Sequence, residues 1–142
     1  MQILVISFFA WFIAQFSKVI YFYYLNRKLD FRTFYASGGM PSAHSAFISA
    51  VCTQIGLIEG FHSTTFALAA AIAGIVIYDA INVRRAVGLQ GQTINMLLNQ
   101  MESDDKQAIK KLKDVMGHTP LQVAIGTILG ILIGYIGYTY IY

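Results

Sequence analysis

Four runs of apolar residues, Ile3 to Leu25, Ala43 to Ile58, Phe66 to Val83 and Leu121 to Tyr142, occupy most of the 142-residue chain and leave it few ways to fold. A bilayer takes roughly 17 to 25 apolar residues per crossing helix. The first and last runs meet that length, and the second and third are short. In lipid each run is helical, because a helix pairs its own backbone groups and an open strand leaves them unpaired at several kcal/mol each. Composition agrees: 56% hydrophobic with 12% charged residues is wrong for a water-solvated surface. The expected fold is all-α, a polytopic membrane bundle of about four transmembrane helices. It is read as one membrane domain over 1–142, with a partly helical cytoplasmic loop over about 84–118.

The first run lacks the basic leading segment of a signal peptide, since Lys18, Arg27 and Lys28 come late, so it reads as a retained helix. The single Cys52 excludes an internal disulfide and reads as a small apolar residue of the second span. Nine of the ten Lys and Arg residues fall in two loops: Arg27, Lys28 and Arg32, then Arg84, Arg85, Lys106, Lys110, Lys111 and Lys113. Such placement argues for membrane topology and against a nucleic-acid partner. By the positive-inside rule both loops are cytoplasmic and the termini lie opposite.

In the first loop Ser37, Gly38 and Gly39 are turn formers, and Pro41 suits the first turn of the helix that carries Ser42, His44 and Ser45 into the membrane. The later loop is too long for a mere connector. Ile94, Leu97, Leu98 and Met101 follow helical spacing, and Ile109, Leu112 and Met116 repeat it after Ser103, Asp104 and Asp105. These stripes read as packing or interfacial surfaces. Gly117 stops the second of these helices, and Thr119 with Pro120 starts the fourth span. Gly126, Gly130 and Gly134 then line one face, which admits a close neighbour. Ala67, Ala70, Ala71 and Gly74 make the third span the expected partner, and a homo-oligomer through the same glycine face is the alternative.

Two histidines and several cations gather on one membrane face. Lys18 sits about two turns inside the first span, where a cation costs roughly 2.5 to 3.5 kcal/mol unless it snorkels or meets an anion. Gly38-Gly39-Met40-Pro41-Ser42-Ala43-His44-Ser45 brings backbone N–H groups, a hydroxyl and an imidazole to a helix start, a place suited to phosphate. The plainer reading makes Ser42 a cap and His44 an interior histidine. His44 and His118 have no close His or Cys neighbours in sequence, so no metal site is expected.

Pro41-Ser42-Ala43-His44 resembles the Pro-Ser-Gly-His motif of the type-2 phosphatidic acid phosphatases, relatives of the vanadium-dependent haloperoxidases, with one residue changed. That superfamily's first signature, Lys-x6-Arg-Pro, is reduced here to Lys18 with Arg27, and its third is split between Arg84-Arg85 and His118. The split resembles the divergent branch of small membrane proteins. Its Gly-Gly-Met-Pro-Ser-(Ser/Ala)-His-Ser, Asp-Ala-x2-Val-Arg-Arg and Gly-His-x-Pro-x-Glu-Val motifs are present here, the second at Asp79 to Arg85 and the third from Gly117 with Gln122 at the Glu position, and an Ala-Gln-x2-Lys element runs from Ala14 to Lys18.

The resemblance implies a cofactor-free phosphatase acting on a phospholipid or isoprenyl phosphate in the membrane. His118 would be the nucleophile and His44 the general acid, with Lys18, Arg27, Ser42, Arg84 and Arg85 binding phosphate. The superfamily places an acid four residues after the nucleophile, where this chain has Gln122. A glutamine carbonyl can orient an imidazole but cannot stabilise an imidazolium as a carboxylate does. Asp79 is the substitute acid, or else the ion-pair partner of a neighbouring arginine. The competing readings are a phosphate- or headgroup-binding protein without turnover, and a structural membrane subunit.

Overall fold

The computed structural model describes residues 1–27, 39–100 and 119–141. They form five helices: α1 (Gln2–Asn26), α2 (Ala43–Glu59), α3 (Thr64–Ile81), α4 (Val83–Gln100) and α5 (Pro120–Ile141). Among the described residues there is no strand. Three stretches are long and apolar enough to cross a membrane: α1, α3 continuing into α4, and α5. With the second helix packed among them, this is the helical membrane bundle expected from the four apolar runs. Phe8, Phe9, Leu68, Ile75, Leu132 and Ile136 are all more than half exposed, as side chains facing lipid would be.

The centre of the bundle is α2, which packs on α1, α3 and α5. At 17 residues it is the shortest helix, about 25 Å long at 1.5 Å per residue. It carries a buried polar face of Ser45, Ser49 and Gln54, with Ser42 at its cap. Ala14, Ala43 and Ala46 make the core where α1 crosses α2 near one end. Toward the other end Gln54 Nε2 donates to Ser7 Oγ at 3.2 Å, to Ile3 O at 3.3 Å and to Ala50 O at 3.0 Å, which ties the antiparallel pair.

The glycine face of α5 meets α2. A Cβ at Gly126 would overlap the carbonyl oxygen of Ser42, and one at Gly130 would overlap that of Ala46. At Gly134 it would lie 3.0 Å from Ala50 O. Matched numbers that rise together mean α2 and α5 run parallel in backbone contact, the close approach that small residues permit. This corrects the expected pairing of the third and fourth spans. Ala67 and Ala71 face outward, Gly74 has open space beside it, and α3 presents Ala69, Ala73 and Ala80 to the interior. Within the chain the glycine face is covered by α2.

Helix ends follow local chemistry. Ser63 caps α3, its Oγ accepting from Phe66 N at 3.1 Å. Asn82 separates α3 from α4, and α4 touches only α3 among the described elements. Ile94 and Leu97 on its expected stripe are 44% and 58% exposed. Met101, Ser103, Asp104, Asp105, Ile109, Leu112 and Met116 lie outside the described residues. Pro41 is buried and lies before the Ser42 cap, with a cis bond from Met40, so α2 begins at Ala43 and the proline is not in its first turn.

Candidate active site

Three elements bring the sequence motifs to one end of the bundle. The end of α1 supplies Lys18, the start of α2 supplies His44, and the junction of α3 with α4 supplies Asp79 and Arg84. His44 is exposed and lies in the electrostatic field of Arg84, Lys18 and Asp79. Lys18 is 4% exposed. Its stem passes beneath Gly39, where a Cβ would sit 3.1 Å from both Cγ and Cδ. Gly39 also has φ +86°, so two independent constraints call for glycine there. Lys18 therefore does not snorkel along the lipid face; it is buried, with Gly39 packed over its stem.

Ser42 organises the site from within. It is fully buried, and its Oγ accepts from Ser45 N at 3.4 Å and from Ser45 Oγ at 3.0 Å. Its N–H donates to the carbonyl of Gln122 at 3.0 Å, which fastens the start of α2 to the start of α5. The hydroxyl expected to touch phosphate thus caps a helix, the plainer of its two readings. With the N–H of Ser45 taken by the cap, the amides of Ala43 and His44 have no partner among the described residues.

Arg84 Nε pairs with Asp79 Oδ2 at 2.6 Å. Of the two roles open to Asp79, this is the ion pair; its carboxylate is on a guanidinium whose charge acts on His44. Arg85 is exposed beside it. Arg27 is the left-handed C-cap of α1 (φ 54°), and its guanidinium lies 5.9 Å from the ring centre of Tyr24. Tyr24 is 72% exposed, so Arg27 leans on the outer surface of α1 and not on the buried face that carries Lys18.

His118, the expected nucleophile, lies outside the described residues, and so does Gly38. Its chain neighbour Thr119 is described. Thr119 and Gln122 form a capping box at the start of α5: Thr119 N donates to Gln122 Oε1 at 3.0 Å, and Gln122 N donates to Thr119 Oγ1 at 3.4 Å. The Gln122 carbonyl expected to orient His118 is therefore engaged on the backbone. The signal was present in the sequence as Thr-x-x-Gln ahead of an apolar run. Sequence reasoning also gave no role to Gln15, which is 8% exposed on the same face of α1.

A cleft of about 420 Å³ leads from this end into the membrane region between α1, α2 and α3. Phe8, Trp11, Phe47, Ile48 and Val76 line it together with His44.

The arrangement is a partly enclosed cluster of cations and an imidazole at a helix start, open to an apolar cleft. Comparison with known proteins agrees with the motif reading. The family model described as "Divergent PAP2 family" matches residues 1–133. The Bacillus subtilis (strain 168) membrane protein YuiD, itself uncharacterised, is 38% identical over 131 residues, covering 84% of this chain and 83% of its own. No solved structure matches the chain. On these grounds the protein is an integral membrane protein and a member of the divergent PAP2 family.

Proposed function

We propose that the protein is a lipid-phosphate phosphatase that cleaves a phosphomonoester or pyrophosphate headgroup while the hydrocarbon tail stays in the bilayer. The observation that carries this reading is the convergence of His44, Lys18 and Arg84 at the bundle end where α5 begins. Phosphoryl transfer spreads charge over three equatorial oxygens, so fixed cations around the phosphorus lower its barrier. In this reading a nitrogen of His118 attacks phosphorus and the P–O bond to the lipid breaks. The imidazolium of His44 gives its proton to the departing alkoxide. Water then attacks the phosphohistidine, His44 takes the proton from that water, and inorganic phosphate leaves. The two basic loops face the cytoplasm, as the positive-inside rule requires.

The test is phosphate release by purified protein in liposomes containing phosphatidic acid, phosphatidylglycerophosphate or an isoprenyl diphosphate. Release by the wild type, its loss in His118→Ala, and inhibition by vanadate as a mimic of pentacoordinate phosphorus would support the reading. Gln122 favours one competing reading, headgroup binding without turnover, because an uncharged amide stands where the wider superfamily has an acid. Gln122→Glu separates the two: glutamate keeps the capping box and supplies the missing charge. Absence of release by both wild type and Gln122→Glu, with lipid binding retained, would favour binding alone.

A further inference from the structure

Among the described elements only α4 packs on a single neighbour, and its surface is arranged the wrong way round for water. Val83, Val87, Leu89, Ile94, Met96 and Leu97 are all exposed. At about 3.6 residues per turn, the sector they leave clear is that of Arg84, Gly88, Gln92 and Asn95. In that sector Gly88 is buried, and Gln92 and Asn95 are half-buried. A helix standing in water shelters its apolar side and exposes its polar one. In α4 the exposure falls on the apolar side, so the medium it faces is apolar.

Position and charge identify that medium. The 18 residues of α3 make about 27 Å at 1.5 Å per residue, close to the roughly 30 Å of a bilayer core. Leu68 and Ile75 on α3 face lipid, and Tyr78, exposed near its end, is the kind of side chain that sits at headgroup level. Helix α4 therefore begins at the membrane surface, and a straight continuation of α3 would carry Ile94 and Leu97 out into water. Between the two helices Asn82 has φ −104° and ψ −67°, well off α-helical values, so the chain can turn there. Arg84 and Arg85 stand in the first turn of α4, which has no acidic residue, and Arg85 makes no ion pair among the described residues. A second copy of the chain would bring the same cations to this helix and no acid to meet them, whereas anionic headgroups complement them.

We propose that α4 lies along the membrane surface at the end of the bundle that carries His44, docked on anionic lipid. Val83, Ile94 and Leu97 sink into the boundary between headgroups and acyl chains, with Val87 and Leu89 at the margins of the buried strip, and Arg85 stands among the headgroup charges. The inference is independent of the phosphatase reading. It turns a segment placed by sequence in a cytoplasmic loop into a surface-bound helix, and it sets Arg84, in the first turn, at headgroup level.

The experiment removes the single cysteine by Cys52→Ala and adds Ile94→Cys, Leu97→Cys or Gln92→Cys, one at a time, each carrying a fluorescent label. The full chain is placed in phosphatidylcholine vesicles with or without phosphatidylglycerol. Brominated acyl chains quench a label in the bilayer, and acrylamide quenches one in water. With phosphatidylglycerol present, labels at 94 and 97 should be quenched several times more by brominated lipid than by acrylamide, and the label at 92 should respond to brominated lipid less than either. Stronger acrylamide quenching at 94 and 97 would put α4 in water and overturn the inference. Protection from both quenchers would overturn it in favour of a protein partner, identified as a second copy if cysteines at 94 cross-link. Omitting phosphatidylglycerol, or raising the salt, should weaken lipid quenching at both stripe positions. Quenching indifferent to both would refute anionic lipid as the partner. Hydrogen exchange over residues 83–100 of the unsubstituted protein needs no variant to fold: slower exchange with phosphatidylglycerol than without supports the docking, and equal rates refute it.

Discussion

Gly39 shows how much one residue can decide. Its positive φ and the Lys18 stem beneath it both exclude a side chain. Gly39→Ala should cost about 1 kcal/mol or more through strained backbone, and should displace Lys18. Thermal unfolding in detergent checks the first effect, and a raised KM for phosphate release checks the second. Asp79→Asn is the contrasting case. The ion pair with Arg84 is 43% and 36% exposed at its two side chains, so its loss should change stability by no more than about 1 kcal/mol. If Asp79 acts only by holding Arg84, the losses in kcat/KM from Asp79→Asn and Arg84→Ala should not add in the double variant; additive losses would instead assign it to the histidine. Legibility at this scale was uneven. The motifs marked Lys18, His44 and Arg84, yet nothing in their order says that Ser42 turns inward or that Arg27 rests on Tyr24. Those outcomes depend on where a hydroxyl or guanidinium finds its neighbour in three dimensions.

Among the elements, α2 and α5 are the pair on which the site is built. Replacing Gly130 by valine would drive two methyl groups into the backbone of Ala46, so Gly130→Val should destabilise by about 1–3 kcal/mol or prevent accumulation. Quantifying folded protein by fluorescence-detected gel filtration checks this, and Gly74→Val, with open space beside it, is the control expected to be tolerated. Helix positions were readable from apolar runs: Ile3 to Leu25 became Gln2–Asn26, and Ala43 to Ile58 became Ala43–Glu59. The glycine face was readable too, but its partner was not. Small residues at four-residue spacing occur on α3 as well as at Ser42, Ala46 and Ala50, and spacing alone cannot choose between two such surfaces. The choice falls to α2 because Ser42, Ala46 and Ala50 offer a small-residue surface against which the backbone of α5 lies directly.

At the scale of the molecule, the motif-bearing segments share one end of the bundle because α1 and α3 run toward it and α2 and α5 run away from it. Cysteines introduced near residues 30 and 105 should react with a membrane-impermeant reagent from the same side. The charge distribution predicts reaction from the cytoplasmic side, and labelling of only one of the two from a given side would break the shared-face arrangement. The parallel contact of α2 with α5 also bears on how the chain is made. The ribosome delivers α2 into the membrane early, with its Ser42–Ala46–Ala50 surface uncovered, and the glycine surface that covers it emerges well after it. Until then α2 is a short, half-polar helix leaning on α1 and α3. A chain stopped ahead of Thr119 should therefore leave α2 prone to extraction or proteolysis, so that the final span acts as the closing step of assembly for a helix completed some 60 residues earlier in translation.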